Sequence, residues 1–397
     1  MTSERAIKIS LLTAGKDRPY ALGLGIALAE AEVELDFIGS DEVSSPELQK
    51  NPRVHFLNLR GEQSANAPFG RKFARILVYY FRLLAYAIRA RPRLFHILWN
   101  NKIEYFDRTA LILYYKLLGK KITFTAHNVN VGKRDDHDTF LNRLTLKIQY
   151  RLCDHIFVHT RKMAEELVSD FSVPESKISV IPLGLSNSIP NTSLTTEAAR
   201  ARLGFQAGDK VMLFFGQIAA YKGLEYLLDA FFELARADKS YRLVIVGRPK
   251  GRKEYWEGLQ KRIAGSELRE RITQVIDFIP EPAIELYYKA ADVSVLPYNH
   301  IFQSGVLFVG YSFGLPVIAS DVGSFREEIV EDKTGYIFPP RDTAALMRAI
   351  ERYFGSDLYA RLPVHRPEIQ AFVQDRCSWS KVTAITKTVY ARLLQTT

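Results

Sequence analysis

The sequence predicts an α/β protein built from two doubly wound, Rossmann-like domains, and three observations carry that expectation. Short apolar runs of strand length alternate with helical patterns through the first half of the chain. The alternation stops once, at a polar stretch, and then restarts. No repeat of fixed period between about 20 and 50 residues is present, which excludes solenoids and propellers. The length of 397 residues suits two or three cores at roughly 150 residues each.

Taken in order, the first-half runs are IKISLLT, VELDFIGS, VHFLNL, LFHILW, KITFTAHN, HIFVHT and ISVIPL. Each is short, rich in β-branched and aromatic residues, and followed by a helical pattern, as parallel strands with helical crossovers require. Residues 186–199, SNSIPNTSLTTEAA, are rich in Ser, Thr, Asn and Pro and read as a linker. The second half then runs VMLFFG, YRLVIVG, ITQVIDFI, VSVLPY and PVIAS. The closing WSKVTAITKTVYARLL has the length and periodicity of a terminal helix. The expected organisation is a domain over 1–185, a linker over 186–200, a second domain over 201–376 and a helix over 377–397 that packs toward the first domain. Open sheets of this kind bind ligands beyond the carboxyl ends of their strands, so a cleft between the two domains and its post-strand loops are the expected site.

Composition narrows the class. Hydrophobic residues at 47% and charged residues at 25% match a globular protein and exclude a disordered chain. No run of about 18 uninterrupted apolar residues is present, so a membrane-spanning helix is not expected. MTSERAIKISLL has no basic stretch leading into a long apolar core, so export is not expected and a cytoplasmic location is. Cys153 and Cys377 lack metal-ligand spacing and read as structural. The net charge is +10. Residues 1–190 hold +7 of it and the remainder +3. No acidic residue stands between Glu62 and Glu104, where Arg71, Lys72, Arg75, Arg82, Arg89, Arg91, Arg93 and Lys102 are all basic. Something anionic is expected to face this stretch. No DNA- or RNA-binding module is recognisable, so nucleic acid is not an expected partner.

Several post-strand loops carry candidate chemistry. Gly15, in TAGK, lets backbone approach a ligand, although a loop glycine is equally explained by the need to turn. His127 ends the strand of TAHN and suits hydrogen bonding to sugar hydroxyls or proton transfer; the plain alternative is a histidine bonded to a backbone carbonyl. Lys222, in FFGQIAAYKG, precedes a helix, where an ammonium and a helix start together favour phosphate; the plain alternative is a solvated lysine. Ser304 and Gly305 begin a helix and offer hydroxyl and amide donors to a diphosphate, or simply an N-cap. Asp135, Asp136 and Asp138 cluster, but read as a solvated loop. No motif demands a metal, and no cofactor is expected.

The quoted motifs, together with VIPLGL, LVIVG, ADVSVLPY, FGLPVIASDVGSFREEI and DKTGYIFPPRD, resemble the retaining, nucleotide-sugar-dependent glycosyltransferases of the GT-B fold, in the large family-four group. The resemblance runs along nearly the whole chain. It implies a first domain that binds the acceptor and a second that binds the nucleotide sugar. It implies that His127 contacts the donor sugar, that Lys222 binds the diphosphate, that Glu327 faces the ribose, and that Phe278 and Ile279 hold the base. The family's arginine five residues before the lysine is replaced by Gln217, and its two glutamates eight residues apart by Ile301 and Val309. Gln303, Ser304, Gly305 and Val306 are then the candidates to take over donor contacts.

The mechanism so implied is metal-independent transfer with retention and without a protein nucleophile, in bacterial-type polysaccharide or glycoconjugate assembly. The expected partners are a nucleotide sugar and a saccharide or polyprenol-linked acceptor. The segment 71–93 adds an anionic membrane surface as a candidate partner: Phe73, Ile76, Leu77, Tyr80, Leu83, Leu84, Ala87 and Ile88 form an apolar stripe, with Arg75, Arg82 and Arg89 at seven-residue spacing on another face. A helix that covers the sheet with its arginines in water fits the same pattern. The alternatives from other classes are a GT-B pseudoenzyme acting as a binding subunit, and an epimerase or phosphorylase of the same fold.

Overall fold

A computed structural model describes residues 7–63, 68–134, 138–184 and 189–395. The chain divides into two compact units, Met1–Ser186 with Cys377–Thr397, and Asn187–Arg376.

The first unit is built on seven parallel strands: β1 (Lys8–Leu12), β2 (Glu34–Gly39), β3 (Val54–Asn58), β4 (Leu94–Ile97), β5 (Lys121–Ala126), β6 (His155–Val158) and β7 (Ile178–Val180), ordered β3-β2-β1-β4-β5-β6-β7. Helix α1 (Arg18–Glu30) follows β1; Asp17 caps it by accepting from the Tyr20 amide at 3.3 Å, and Pro19 stands in the first turn. Helix α2 (Phe69–Arg89) connects β3 to β4. The second unit begins with α3 (Thr196–Leu203), capped by Thr195 and closed by left-handed Gly204. Its six parallel strands are β8 (Lys210–Phe215), β9 (Tyr241–Val246), β10 (Ile272–Val275), β11 (Val293–Leu296), β12 (Val317–Ser320) and β13 (Gly335–Phe338), ordered β10-β9-β8-β11-β12-β13. Helices α4 (Leu224–Ala237), α5 (Glu281–Ala290) and α6 (Gly305–Ser312) follow β8, β10 and β11. The chain ends with α7 (Trp379–Gln395). Both strand orders are doubly wound, reversing between β1 and β4 and between β8 and β11.

The polar stretch read as a linker is structured in its described part. Ile189 packs on the core of the second unit. The Thr192 amide and hydroxyl both donate to the Glu285 carboxylate at 2.9 Å. From Thr196 the chain is already helix. Thr192 and Thr195 serve a side-chain bond and a cap, roles that composition does not distinguish from slack.

Helix α7 belongs to the first unit, where Val382, Val389 and Tyr390 join Leu24 and Leu28 in the core. Its first residue, Trp379, lies between two glycines. A Cβ on Gly23 would come within 2.3 Å of the indole, and one on Gly184 within 2.4 Å. In an ordinary helix interior Gly→Ala adds about 1 kcal/mol of stability. Gly23→Ala is expected instead to lose about 1–3 kcal/mol through overpacking. Urea unfolding checks this, and a Trp379→Ala background should reverse the sign, because the clash is then gone.

Candidate functional site

In the second unit, several of the candidate residues gather where the strand order reverses. The backbone leaves β8 at Gly216, turns through a short 3-10 segment, Ala220–Lys222, and enters α4 at left-handed Gly223 (φ 64°). Any side chain at 223 would press a Cβ to 2.0 Å from the Pro297 carbonyl oxygen, so this approach to the end of β11 requires glycine. The approach fixes Lys222. Its ammonium is buried, donates to the Tyr298 hydroxyl at 2.6 Å, and lies 4.0 Å from the centre of that ring. Lys222 is therefore held, not solvated.

Beyond Tyr298, Ser304 occupies the N-cap position of α6 with its hydroxyl buried beside the Tyr298 phenol. That hydroxyl makes no capping bond, so the ordinary N-cap role is not the one it fills. The first amides of a helix have no intrahelical acceptor, and here they belong to Gly305 and Val306. Gly305 is exposed, and a Val306 methyl lies 3.3 Å from where a Cβ on Gly216 would stand. Gly216, Lys222, Tyr298, Ser304 and Val306 thus form one cluster.

The other expected donor contacts stand apart from this cluster along the same sheet. Gln217 is exposed, and its neighbour Ile218 bonds to the chain beyond β9. Phe278 is exposed beneath the Arg248 guanidinium, while Ile279 is half-buried against the core. Gln303 is half-buried, and Glu327 is exposed on the turn after β12. Ile301 is buried and Val309 packs on the core; apolar packing has taken the places of the two family glutamates.

In the first unit, β4, β5 and β6 pair so that Ile97 lies beside Phe124 and Ala126 beside Val158. One step further on, the register brings Trp99, His127 and His159 side by side. The His127 ring stacks on Trp99 at 4.4 Å between centroids and 5° between planes, with the Tyr20 ring edge-on at 4.7 Å. His127 does not bond a carbonyl. Its Nδ1 lies 3.1 Å from His159 Nε2, and His159 Nδ1 lies 3.3 Å from the Ile181 carbonyl oxygen. Among the described residues, His127 Nε2 is buried without a hydrogen-bond partner.

Burial pushes the His127 ring well below its ordinary pKa, with the nearby His159 and His96 acting in the same direction. Burial brings His159 down to about 4 and His96 to about 3. These three rings are neutral in the folded chain and protonate freely when it unfolds. Below pH 6.5 the unfolded state therefore binds more protons, and stability is lost as pH falls from about 6.5 toward 4. His155, brought down to about 4 by burial, adds to this, whereas Asp17, Asp107, Glu166, Asp292 and Glu328, all raised by burial, work in the opposite sense. The histidines are expected to cost about 1–2 kcal/mol each by pH 5.5 to 5. Denaturant midpoints measured from pH 7.5 to 5 check this; a flat or rising profile would contradict it.

Gly15 is left-handed (φ 60°), its amide bonds Thr13 Oγ1 at 3.2 Å, and a Cβ there would meet Gln63 and Ser40. Protein, not open space, fills that side. The α2 stripe divides: Tyr80, Leu83 and Ala87 are buried, Ile76 and Leu84 half-buried, and Phe73, Leu77 and Ile88 exposed, with Phe81 exposed beside them. Arg82 and Arg89 are exposed, and Arg75 is half-buried, donating to the Glu62 carbonyl at 2.7 Å. A cavity of about 490 Å³ opens beside the first half of α2; Arg60, Lys72, Arg75 and Lys102 line it together with one acid, Glu62, and the rings of Phe73 and Tyr79. Asp135 and Asp136 lie outside the described residues. Asp138 is not solvated: Asn130, Asn142 and Arg143 all donate to it, at 3.0, 3.1 and 2.7 Å.

Sequence reasoning passed over His159, Tyr298 and Trp99. A signal for the first was present, because HIFVHT ends its strand in a histidine as TAHN nearly does. Tyr298 had none, since its role depends on where Gly223 lets Lys222 lie.

Two family models match, Glycosyltransferase Family 4 over residues 19–187 and Glycosyl transferases group 1 over residues 209–356. Curated relatives include D-inositol 3-phosphate glycosyltransferases. That of Pseudarthrobacter chlorophenolicus is 28% identical over 61% of this chain and 57% of the relative. That of Nocardia farcinica is 31% identical over 51% and 45%. The matches thus span about half the length of these relatives. Among solved structures, sucrose-phosphate synthase from Thermosynechococcus elongatus superposes with a TM-score of 0.73 at 22% identity, covering 98% of this chain and 100% of that one. HepE of Anabaena, in complex with UDP and glucose, superposes with a TM-score of 0.71 at 15% identity, covering 98% and 99%. Those likenesses give the GT-B fold. With one family model on each unit, together matching most of its length, the chain belongs to the family-four, group 1 glycosyltransferases.

Proposed function

We propose that this chain is a retaining glycosyltransferase that moves a sugar from a nucleotide-diphosphate sugar to a hydroxyl of a saccharide or lipid-linked acceptor, in polysaccharide or glycoconjugate assembly. The observation that carries the reading is the buried Lys222 ammonium, held by Tyr298 at the point where the strand order reverses, beside the start of α6. A fixed cation and free helix amides are what a departing diphosphate needs, because its negative charge grows as the sugar–oxygen bond breaks. Support also comes from the structural neighbours: HepE has been solved with UDP and with UDP-glucose, and starch synthase IV from Arabidopsis thaliana with ADP and acarbose.

In this mechanism the acceptor hydroxyl enters on the face that the diphosphate leaves. Lys222 and the amides of Gly305 and Val306 stabilise the leaving group, with Gln217 and Gln303 beside it, Phe278 and Ile279 holding the base, and Glu327 at the ribose. His127, through Nε2, accepts from a sugar hydroxyl. The cation-lined cavity and the exposed apolar face of α2, with Arg82 and Arg89, favour an acceptor that bears an anionic group at an anionic lipid surface. Among the described residues no helix is long and apolar enough to cross a membrane.

Product analysis tests the reading. With UDP-, GDP-, TDP- and ADP-sugars offered in turn, with and without anionic vesicles at low salt, one donor is expected to yield a glycoside of the donor's own anomeric configuration, and to do so in EDTA. Free nucleotide without glycoside, or dependence on inorganic phosphate, would point to the epimerase or phosphorylase alternative.

A further inference from the structure

The histidine pair beyond β5 and β6 has a direction. The Ile181 carbonyl can only accept, so His159 Nδ1 must carry the proton that faces it at 3.3 Å. A neutral imidazole carries one proton, so His159 Nε2 is a lone pair. Across the 3.1 Å contact, His127 Nδ1 must then be the N–H that donates to it. His127 in turn has one proton, now committed to Nδ1, and its Nε2 is left as an acceptor, buried and without a partner among the described residues. The stack on Trp99 and the Tyr20 edge hold the ring in plane, so Nε2 keeps its aim. We propose that His159 is a positioning residue that fixes the tautomer of His127, so that His127 presents a lone pair, and not an N–H, to a sugar hydroxyl.

The choice of a histidine in this place has a physical consequence. A carboxylate would also accept from His127 Nδ1, but its charge would draw a second proton onto the ring and turn Nε2 into a donor. A neutral imidazole fixes the tautomer without that effect. Both rings are kept neutral by burial. The proposal rests on the reading in which His127 meets a sugar hydroxyl, but the relay itself can be tested without substrate.

Nitrogen-15 NMR of the full chain, with histidine labelled and His127 assigned by comparison with His127→Gln, reads the tautomer directly. The expected result at pH 7.5 is His127 Nδ1 in the protonated range and Nε2 in the unprotonated range; the reverse, or two protonated nitrogens, overturns the relay. His159→Leu removes the acceptor and is expected to shift His127 toward the Nε2–H form and to lower kcat/KM for the nucleotide sugar by about 10–100-fold. His159→Gln keeps an acceptor for Nδ1–H and a donor for the Ile181 carbonyl, and is expected to stay within about 3-fold of the parent. His159→Asp is expected to raise the pH at which His127 protonates. If His127→Ala leaves turnover unchanged, the reading of His127 fails and the positioning role fails with it. If His127→Ala abolishes turnover while His159→Leu matches the parent, the positioning role alone is lost. Should His159→Leu not fold, the tautomer in the parent chain and the activity of His159→Gln still decide.

Discussion

Replacing Lys222 by methionine is expected to lower turnover by roughly 10²–10³-fold, the scale of losing one preorganised charge-stabilising donor, while the chain stays folded. Methionine keeps the apolar stem against Tyr298 and deletes only the ammonium. The charge matters more here than on an open surface. Lys222 is buried, its ammonium lies 4.0 Å from the centre of an aromatic ring, and Gly223 lets the chain pass within reach of the Pro297 carbonyl. A cation so held needs little reorganisation when the leaving group develops charge. Gln217 sharpens the expectation. With an uncharged amide where the family carries an arginine, Lys222 bears a larger share of the diphosphate charge, and Gln217→Arg is expected to soften the loss. Steady-state kinetics with the donor found by product analysis checks both. A Lys222→Met chain within about 3-fold of the parent would remove Lys222 from the mechanism.

Asp292→Ala is expected to cost about 3–5 kcal/mol of stability in the second unit, the scale of breaking one side of a buried ion pair. Asp292 precedes β11, where burial raises its carboxyl above the ordinary range and Arg200 pulls the other way. Its carboxylate meets Arg200 at 2.7 Å and accepts from the Val211 amide at 2.7 Å. Arg200 lies on α3 and also donates to the Ala290 carbonyl at 3.1 Å. One carboxylate therefore ties α3 to the starts of β8 and β11, the two strands that carry Lys222 and Tyr298. Alanine would strand the guanidinium in a buried place. Pairing Asp292→Ala with Arg200→Met removes both charges and is expected to recover part of the loss. Hydrogen exchange across β8 and β11, with denaturant midpoints, measures both; equal or greater loss in the double variant would contradict the account.

The legible part of this fold was its strands. IKISLLT, KITFTAHN and VMLFFG are buried on both faces: VMLFFG reads as a continuous apolar run, the other two bury Ser10, Thr123 and Thr125 among β-branched and aromatic residues, and parallel order follows from the helices between them. GYIF escaped, because a four-residue strand opening on glycine resembles a turn until β12 lies beside it. The stretch 186–200 was harder to read, for the opposite reason: the units divide at Ser186 and Asn187, but Thr192 and Thr195 look like loop residues whether their hydroxyls face water or cap and bond, as here. At the candidate site, Lys222 and His127 were readable from strand ends. What surrounds them was not. The hydrogen bond from Lys222 to Tyr298 spans 76 residues, and the contact from His127 to His159 spans 32. Such pairs come from register and close backbone approach, which composition and spacing do not carry. The basic stretch between Glu62 and Glu104 was visible as charge, yet only the structure divides it into a cation-lined cavity and an exposed apolar helix face.

The central claim is that the second unit takes a nucleotide-diphosphate sugar through Lys222. Thermal unfolding of the parent chain and of Lys222→Met, each with the UDP-, GDP-, TDP- and ADP-sugar panel, tests it most directly. A ligand at 100 times its dissociation constant stabilises by about 2.7 kcal/mol. Such a shift is expected for one nucleotide in the parent and a much smaller one in Lys222→Met. No shift with any member of the panel would contradict it and favour a binding subunit without catalytic function.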